Sequence, residues 1–375
     1  MRRRGSMVLA ALACLAVLVN VERAPERPLT QQPFPDSAEY ADAAHSLAHG
    51  KGYYTYVHSG SRQPPRYPPG YAMALTPFAS VGSYPRDVQR GAKFWAMAYV
   101  VVAVLAAWFL GGPLAGIFAA LLIGVSPFAR DSAGLVLSDA LIATLTVLML
   151  PLLQKTSKSG TRLAGFGNGL AIIMRLTAAI NLIALLVATP RRSYKTTIAW
   201  ALPALVGLAV LQWAMFGSPL RTGYSYWGVS SHFFALSYAT SESVVKEGPF
   251  IFADKFNGHL LSWICPCQVG GSQSSLPNLA FYPLLLLSAF WVFSPPLIPL
   301  AGLLYAWRRR RDAVGRYTLV VVALSLILFI FYQYQGTRFM AGPATLLLVL
   351  ASVWLAKQSE LLWRRITARQ LTPEP

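Results

Sequence analysis

Charged residues are scarce in this chain, and acidic residues are the scarcest of them. Only 12% of the 375 residues are charged, 55% are hydrophobic, and the mean hydropathy is +0.47. Apolar runs recur along nearly the whole length, which excludes a soluble enzyme with one anchor and predicts a polytopic membrane protein. The runs are continuous and lack the alternation of barrel strands. The predicted fold class is therefore all-α, a transmembrane bundle of about ten helices in one domain, residues 1–375.

Cysteines and cofactor motifs are also few. Cys14, Cys265 and Cys267 have neither the spacing of an easy disulfide nor the second pair of a zinc site, so structural thiols are expected. The sequence contains no HExxH motif, serine-hydrolase elbow or nucleic-acid-binding pattern. The run from Gly165 to Gly169, with glycine at every second position, follows no strand. It predicts close helix packing and not a nucleotide-binding loop.

Orientation in the membrane explains the net charge of +18. Basic residues before the first apolar run place the N-terminus in the cytoplasm, and the positive-inside rule then holds for the later basic loops, so both termini are expected inside. Anionic lipid, and not nucleic acid, is the expected partner of this charge. A signal peptide is the alternative for the short first run, although no small-x-small cleavage site follows it. The expected spans are residues 7–21, 92–110, 114–125, 140–153, 163–173, 178–188, 197–214, 281–304, 317–332 and 341–355.

Two large loops, residues 22–91 and 216–280, are expected on the extracytoplasmic side. Residues 36–49 of the first loop have the spacing of an amphipathic helix, which could lie along the membrane surface with Tyr40 on its apolar face. The second loop mixes aromatic residues, Tyr224 among them, with serine and glycine. Such a composition is typical of a carbohydrate- or lipid-binding surface, and equally of a plain interfacial belt.

Ionisable residues at the ends of the apolar runs gather on one side. Charge near hydrocarbon is costly, so these residues are expected to face a polar cavity or a partner. Snorkelling explains any single arginine, and helix capping explains Asp139 equally well. Their shared side nevertheless predicts one polar site together with Asp36. The residues concerned are Lys93, Asp131, Asp139, Arg175 and Arg338.

The order of these features resembles that of the GT-C superfamily of integral-membrane glycosyltransferases, which includes protein mannosyltransferase-like, aminoarabinose transferase-like and Rgt-type bacterial enzymes. The resemblance covers about residues 7–355. Each motif is weak alone, and the match rests on their order, side and spacing. The matching motifs are Asp36-x-x-Glu39-Tyr40, Gly50-Lys-Gly-Tyr53, Arg66-Tyr-Pro-Pro-Gly-Tyr71, Leu137-Ser-Asp139, Gly169-Leu-Ala with Arg175, Gly217-Ser-Pro-Leu-Arg-Thr-Gly-Tyr224, and Arg338-Phe with Pro343.

The resemblance implies sugar transfer from a polyprenyl-phosphate donor to a protein, lipid or polysaccharide acceptor on the non-cytoplasmic face of the bacterial inner membrane, with inversion at the anomeric carbon. Asp36 is then expected to act as the catalytic base, and Glu39 and Asp139 to orient the acceptor or the base. Arginines are expected to stabilise the departing phosphate. The expected substrate-binding residues are Tyr40, Arg66, Tyr67, Tyr71, Lys93, Asp131, Arg175, Tyr224 and Arg338.

Three questions stay open at the level of sequence. A divalent metal is compatible with the acidic residues, but no dense oxygen cluster is written into the chain, and no other cofactor is expected. A transporter or flippase would use the same charges to line a translocation path. A noncatalytic scaffold would leave the acids of the first loop replaceable.

Overall fold

The computed structural model describes residues 2–33, 36–57, 60–154, 157–223, 278–288, 290–330 and 336–371. Within these ranges the chain is helical, and its extended pairing is limited to an antiparallel bridge between Thr55 and Gln63. The predicted all-α fold class is confirmed. The single-domain organisation stays a prediction.

The described residues form fourteen α-helices, a spanning structure that satisfies the backbone hydrogen bonds in lipid. In the described ranges they are α1 (Arg2–Glu22), α2 (Asp36–Ala48), α3 (Gly70–Ala79), α4 (Arg86–Gly111), α5 (Pro113–Gly124), α6 (Pro127–Ala133), α7 (Asp139–Gln154), α8 (Lys158–Met174), α9 (Ala179–Ala188), α10 (Tyr194–Phe216), α11 (Asn278–Leu286), α12 (Ile298–Arg308), α13 (Ala313–Ile330) and α14 (Ala341–Leu371).

Fewer helices than expected have the length of a full membrane span. Five helical stretches of the described chain are long and apolar enough to cross, or six if α5 and α6, which meet at 65°, form one broken span. Other expected spans are short helices, such as α7 and α9. The expected single span at residues 281–304 is wrong. Two helices occupy it: α11 ends at Leu286 and α12 begins at Ile298, and Ser288, Trp291 and Leu297 between them have positive φ angles, which a continuous helix does not permit.

The first loop packs onto the bundle. The buried face of α2 contacts α3, and the two helices share an apolar cluster with residues of α4, α7 and α8, so α2 does not lie freely along a membrane surface. Tyr71 is fully buried in this cluster, and burial of a large side chain contributes roughly 2 kcal/mol. The loop thereby fixes the start of α2 near the start of α7 and the end of α8.

Helix α3 was not expected from the sequence, and a close backbone approach holds it in place. A methyl group at Gly70 would lie 2.7 Å from the carbonyl carbon and oxygen of Ile173, near the end of α8. Only glycine permits this contact without displacement of the backbone. The Pro-Pro-Gly part of the first-loop motif therefore sets the distance between α3 and the residue that follows α8, Arg175.

Helix α8 links the two ends of the bundle. Its glycines pack against α10: methyl groups at Gly165 and Gly169 would lie 2.4 Å from the Thr197 carbonyl oxygen and 2.7 Å from that of Ala201. The prediction of close helix packing at these glycines is confirmed, since they lie within a helix and not in a loop. At 1.5 Å per residue, the 17 residues of α8 span about 25 Å.

Candidate active site

Asp36, the first residue of α2, points into the protein and bonds to two partners. The guanidinium of Arg338 donates to one carboxylate oxygen over 2.5 Å, and the hydroxyl of Tyr67 donates to the other. The side chains of Asp36 and Arg338 are 15% and 25% exposed. This ion pair joins positions 302 residues apart, so it exists only because the fold brings α2 to the segment before α14.

A second ion pair lies beside the first. Asp139 begins α7, and its carboxylate accepts a hydrogen bond from Arg175, which follows the last residue of α8. The ring of Phe339 lies next to both guanidinium groups, 5.0 Å from that of Arg175 and 5.4 Å from that of Arg338. We call these four charged residues, Asp36, Asp139, Arg175 and Arg338, the charged quartet.

The quartet is electrically balanced, and its arginines keep Asp36 ionised. Burial disfavours the charged form of Asp36, but the Arg338 guanidinium, the Tyr67 hydroxyl and the charge of Arg175 outweigh burial, and together they hold the pKa of Asp36 below its usual value. The carboxylate is therefore an acceptor at neutral pH. Burial also raises the pKa of Tyr40, so its hydroxyl stays protonated.

Three tyrosines of the first loop, Tyr40, Tyr53 and Tyr71, pack around Tyr67, and we call them the tyrosine shelf. The ring of Tyr40 stacks on Tyr67 at 4.8 Å and meets the edge of Tyr71 at 5.0 Å. The hydroxyl of Tyr53 donates to the Tyr67 backbone carbonyl over 2.5 Å. Tyr40 is 4% exposed and Tyr71 is fully buried. The structure therefore places Tyr40 and Tyr71 where they hold Tyr67 against Asp36, and not where a substrate would touch them.

Glu39 and Arg66 form a separate, deeply buried pair. The carboxylate of Glu39 accepts the backbone N–H of Arg66 over 2.9 Å and lies 3.5 Å from its Nε, and the two side chains are 0% and 3% exposed. Such burial corrects the expectation that Arg66 meets a phosphate or that Glu39 meets an acceptor. Their contact ties α2 to the segment before α3, which fixes the loop that carries Asp36.

Two of the predicted residues lie apart from the quartet. Lys93 donates to the backbone carbonyl of Glu22 over 2.9 Å, and Asp131 pairs with Arg27 at 3.3 Å. Lys93 is bound by the last residue of α1 and Asp131 by Arg27 in the segment that follows α1, so each has a partner outside the quartet, and this corrects the expectation of one site containing every boundary charge. Tyr224 lies outside the described residues.

A small polar cavity lies under the quartet. It has a volume of about 40 Å³, and its walls include Asp139, Arg175 and Arg338. Thr146 and Asn181, joined by a hydrogen bond of 2.8 Å, also line it. A cavity of this size holds a few water molecules and not a sugar. Thr146 and Asn181 were not expected from the sequence, although a polar Asn181 in a short apolar run signals such a role, and Phe339 lies in the Arg338-Phe motif without a role expected for it.

The described residues contain no cluster of three or more histidine, cysteine or acidic side chains that could hold a metal ion. Asp36 and Asp139 are the carboxylates of the quartet that could supply oxygen ligands to a metal ion. Each of them already pairs with an arginine. A divalent ion at either carboxylate would have to compete with these guanidinium groups, and a divalent metal stays a prediction.

Comparison with known proteins identifies solved structures that share this fold. No protein-family model matches the chain, and no curated protein sequence is significantly similar to it. Solved structures do match over nearly its whole length. ArnT from Cupriavidus metallidurans bound to undecaprenyl phosphate is 16% identical, with a TM-score of 0.58, over 97% of this chain and 64% of that one.

The Archaeoglobus fulgidus oligosaccharyltransferase tethered to an acceptor peptide is 13% identical, with a TM-score of 0.57, over 96% of this chain and 50% of that one. Its complex with Zn and sulfate matches at 14% identity, with a TM-score of 0.57, over 97% of this chain and 50% of that one. The chain thus spans about half to two-thirds of the length of these proteins. Both are GT-C superfamily members, and at these identities the likeness shows that this chain shares the GT-C membrane fold. The apolar helices and this fold make it an integral membrane protein.

Proposed function

We propose that this protein is a glycosyltransferase that moves a sugar from a polyprenyl-phosphate donor to an acceptor hydroxyl or amide. One observation carries the proposal: two buried carboxylate–arginine pairs meet at a single aromatic ring, at one end of a bundle with the GT-C fold. Solved structures with this fold include one bound to undecaprenyl phosphate and one tethered to an acceptor peptide.

The reaction needs a base, and Asp36 fits this role. The acceptor attacks the anomeric carbon, the new glycosidic bond forms as the bond from that carbon to the phosphate oxygen breaks, and the acceptor proton passes to the Asp36 carboxylate. Displacement from the face opposite the phosphate inverts the configuration. Tyr67 orients the carboxylate through its hydrogen bond, and the tyrosine shelf holds Tyr67.

The departing lipid phosphate gains negative charge, which Arg175 and Arg338 are placed to stabilise. Both guanidinium groups lie beside Phe339 and line the polar cavity, and arginine forms paired hydrogen bonds to phosphate oxygens. Preplaced cations of this kind lower the barrier because they need not reorganise as charge develops.

Binding of the donor would also increase the basicity of Asp36. The proximity of Arg338 lowers the pKa of Asp36. A phosphate that draws Arg338 away from Asp36 removes this effect and leaves the opposing effect of burial, so the pKa rises and the carboxylate accepts a proton more readily. The ion pairs of the quartet thus keep the base weak until a phosphate arrives.

The charged quartet is proposed to face the extracytoplasmic side, with both chain termini in the cytoplasm of a bacterial cell. The basic segments that follow α7, α9 and α12 lie at the other end of these helices, as the positive-inside rule requires. Cysteine labelling tests this orientation: a cysteine at Ser80 should react with an impermeant reagent in intact cells, and one at Arg311 should not.

The function is tested by comparison of lipid-linked and surface glycans, by mass spectrometry, in cells with and without the protein. The proposal predicts that one sugar disappears from a surface glycan while its lipid-linked donor accumulates, and that wild-type protein, but not Asp36→Asn, restores both. Unchanged pools of both would refute the proposal. A donor that accumulates only in the cytoplasmic leaflet would point instead to a flippase.

A further inference from the structure

A second polar cavity lies at the far end of α8 from the charged quartet. It has a volume of about 470 Å³ and opens between the ends of α7 and α9 and the starts of α8 and α10. Along α8 the lining of this basal cavity runs from Lys158 to Ala164, about 25 to 16 Å from Arg175, and it shares no lining residue with the cavity under the quartet. It is therefore independent of the proposed catalytic site.

The charges of the basal cavity are of one sign. Lys158, Arg162 and Arg192 line it, and no carboxylate is among its lining residues. In the part of the chain that the structure describes, none of the three forms an ion pair, whereas both arginines of the charged quartet do. Three uncompensated cations in a concave site favour an anion.

Hydroxyl groups and helix ends add to this preference. Ser193 and Thr196 line the cavity at the start of α10, and the first turn of α8 also faces it. A helix N-terminus carries partial positive charge, which favours an anion beside it. The cap of α8, in which the Gly160 N–H donates to the Ser157 hydroxyl over 3.0 Å, fixes this turn next to Lys158.

The remaining wall is apolar, which bears on the kind of anion. Leu152, Leu153 and Leu185 line the cavity beside the cations. Trp200, half-exposed on α10, lies 5.7 Å from the Arg162 guanidinium, in the manner of an aromatic residue at a membrane interface. A free anion needs only the cations, but a phospholipid uses both walls, with its phosphate on the basic side and its glycerol and upper acyl chains along the leucines.

We propose that the basal cavity binds the headgroup of an anionic phospholipid from the leaflet opposite the charged quartet. Its volume is within the range of small-molecule sites, 300–1,000 Å³. Basic pockets between transmembrane helices bind anionic headgroups. The bound lipid would pin α8 to α10, and α8 carries Arg175 at its other end.

Native mass spectrometry of the full chain in neutral detergent tests the proposal without any variant. Dioleoylphosphatidylglycerol and dioleoylphosphatidylcholine are titrated separately, so that the acyl chains match and only headgroup charge differs. Each of the three basic residues near the headgroup should contribute up to about fivefold, so the anionic lipid should bind roughly 10- to 150-fold more tightly. Equal affinities would overturn the proposal.

Two triple variants locate the preference. Lys158→Gln, Arg162→Gln and Arg192→Gln together should reduce it to less than about threefold. The matched control removes the same charge from exposed residues of the same face that do not line the cavity: Arg308→Gln, Arg311→Gln and Arg364→Gln. It should retain the preference, and equal loss in both variants would show that general surface charge, and not the cavity, is responsible.

Inorganic phosphate separates a lipid site from a free-anion site. Millimolar phosphate added to the wild-type complex should leave phosphatidylglycerol bound, since the leucine wall contributes nothing to phosphate. Complete displacement at that concentration would contradict a lipid site.

Discussion

Replacement of Asp36 by asparagine tests the proposed base with the least change of shape. Asparagine keeps a carbonyl oxygen that can accept a hydrogen bond from Tyr67 or Arg338 but cannot accept a proton from the acceptor. Loss of a general base costs roughly 10²- to 10⁴-fold in rate, which corresponds to about 3–5 kcal/mol in the activation barrier. Donor binding should change much less.

The same substitution is also expected to lower the free energy of unfolding, by an amount that follows from the contacts of Asp36. Complete removal of one partner of a buried ion pair costs about 3–5 kcal/mol. Asp36 and Arg338 are mostly buried, but asparagine preserves part of the hydrogen bonding, so a loss of roughly 1–3 kcal/mol is expected. The protein should remain folded and inserted.

The assay is transfer from a lipid-linked donor by purified protein in nanodiscs, with the thermal unfolding of each variant measured alongside. Asp42→Asn is the matched control, because Asp42 lies on the same helix and accepts hydrogen bonds from Thr55 and the Tyr56 N–H without touching the quartet. It should lose stability but less than about threefold in rate. Full activity of Asp36→Asn would refute the assignment of the base.

Three further predictions follow from single contacts. The folded pKa of Asp36 lies below the unfolded value of about 3.9, so its stabilising effect is complete above that value and disappears as pH falls through the folded pKa. The acid limb of the kcat/KM profile, which reports the free protein before a phosphate draws Arg338 away, should therefore lie below the ordinary aspartate range and move to higher pH in Arg338→Gln. An unmoved limb would contradict this effect of Arg338 on the pKa of Asp36. Glu39→Gln should lower the free energy of unfolding by roughly 2–4 kcal/mol, because it removes the Glu39 charge from the deeply buried Arg66 guanidinium while the amide keeps an acceptor for the Arg66 N–H, and a thermal-shift change no larger than that of Asp42→Asn would argue against the pair. Gly70→Ala, which places a methyl group 2.7 Å from the Ile173 carbonyl group, should cost roughly 1–3 kcal/mol and reduce transfer by displacing Arg175, and wild-type unfolding temperature would show that the approach is not close.

The sequence predicted what depends on local pattern. Apolar runs without alternation gave the all-α class, and the cost of charge near hydrocarbon singled out Asp139, Arg175 and Arg338 as residues that need a partner. Position along the chain could not give the partners. Asp36 pairs with a residue 302 positions away, and only the packing of the first loop on the bundle brings the two together.

The sequence also could not show the burial and the partners of the residues whose expected roles are corrected. Glu39 and Arg66 belong to motifs of the first loop, but their burial depends on how α2 and α3 pack, which no periodicity reveals. Lys93 and Asp131 share a side with the quartet, yet the last residue of α1 and the segment that follows it supply them with partners of their own. Pro295 and Pro296 lie shortly before the start of α12 and are a turn signal in the run at residues 281–304, but the sequence does not mark the end of α11 at Leu286.

The central claim is that Arg175 and Arg338 hold the phosphate of a polyprenyl lipid, and direct binding tests it. Undecaprenyl phosphate is titrated onto wild-type protein, Arg338→Gln and the basal-cavity triple variant, with native mass spectrometry as the readout. We expect undecaprenyl phosphate to bind the wild type tightly and to bind Arg338→Gln at least about tenfold more weakly. Its affinity for the basal-cavity triple variant should change little. Undiminished binding to Arg338→Gln in folded protein would contradict the central claim.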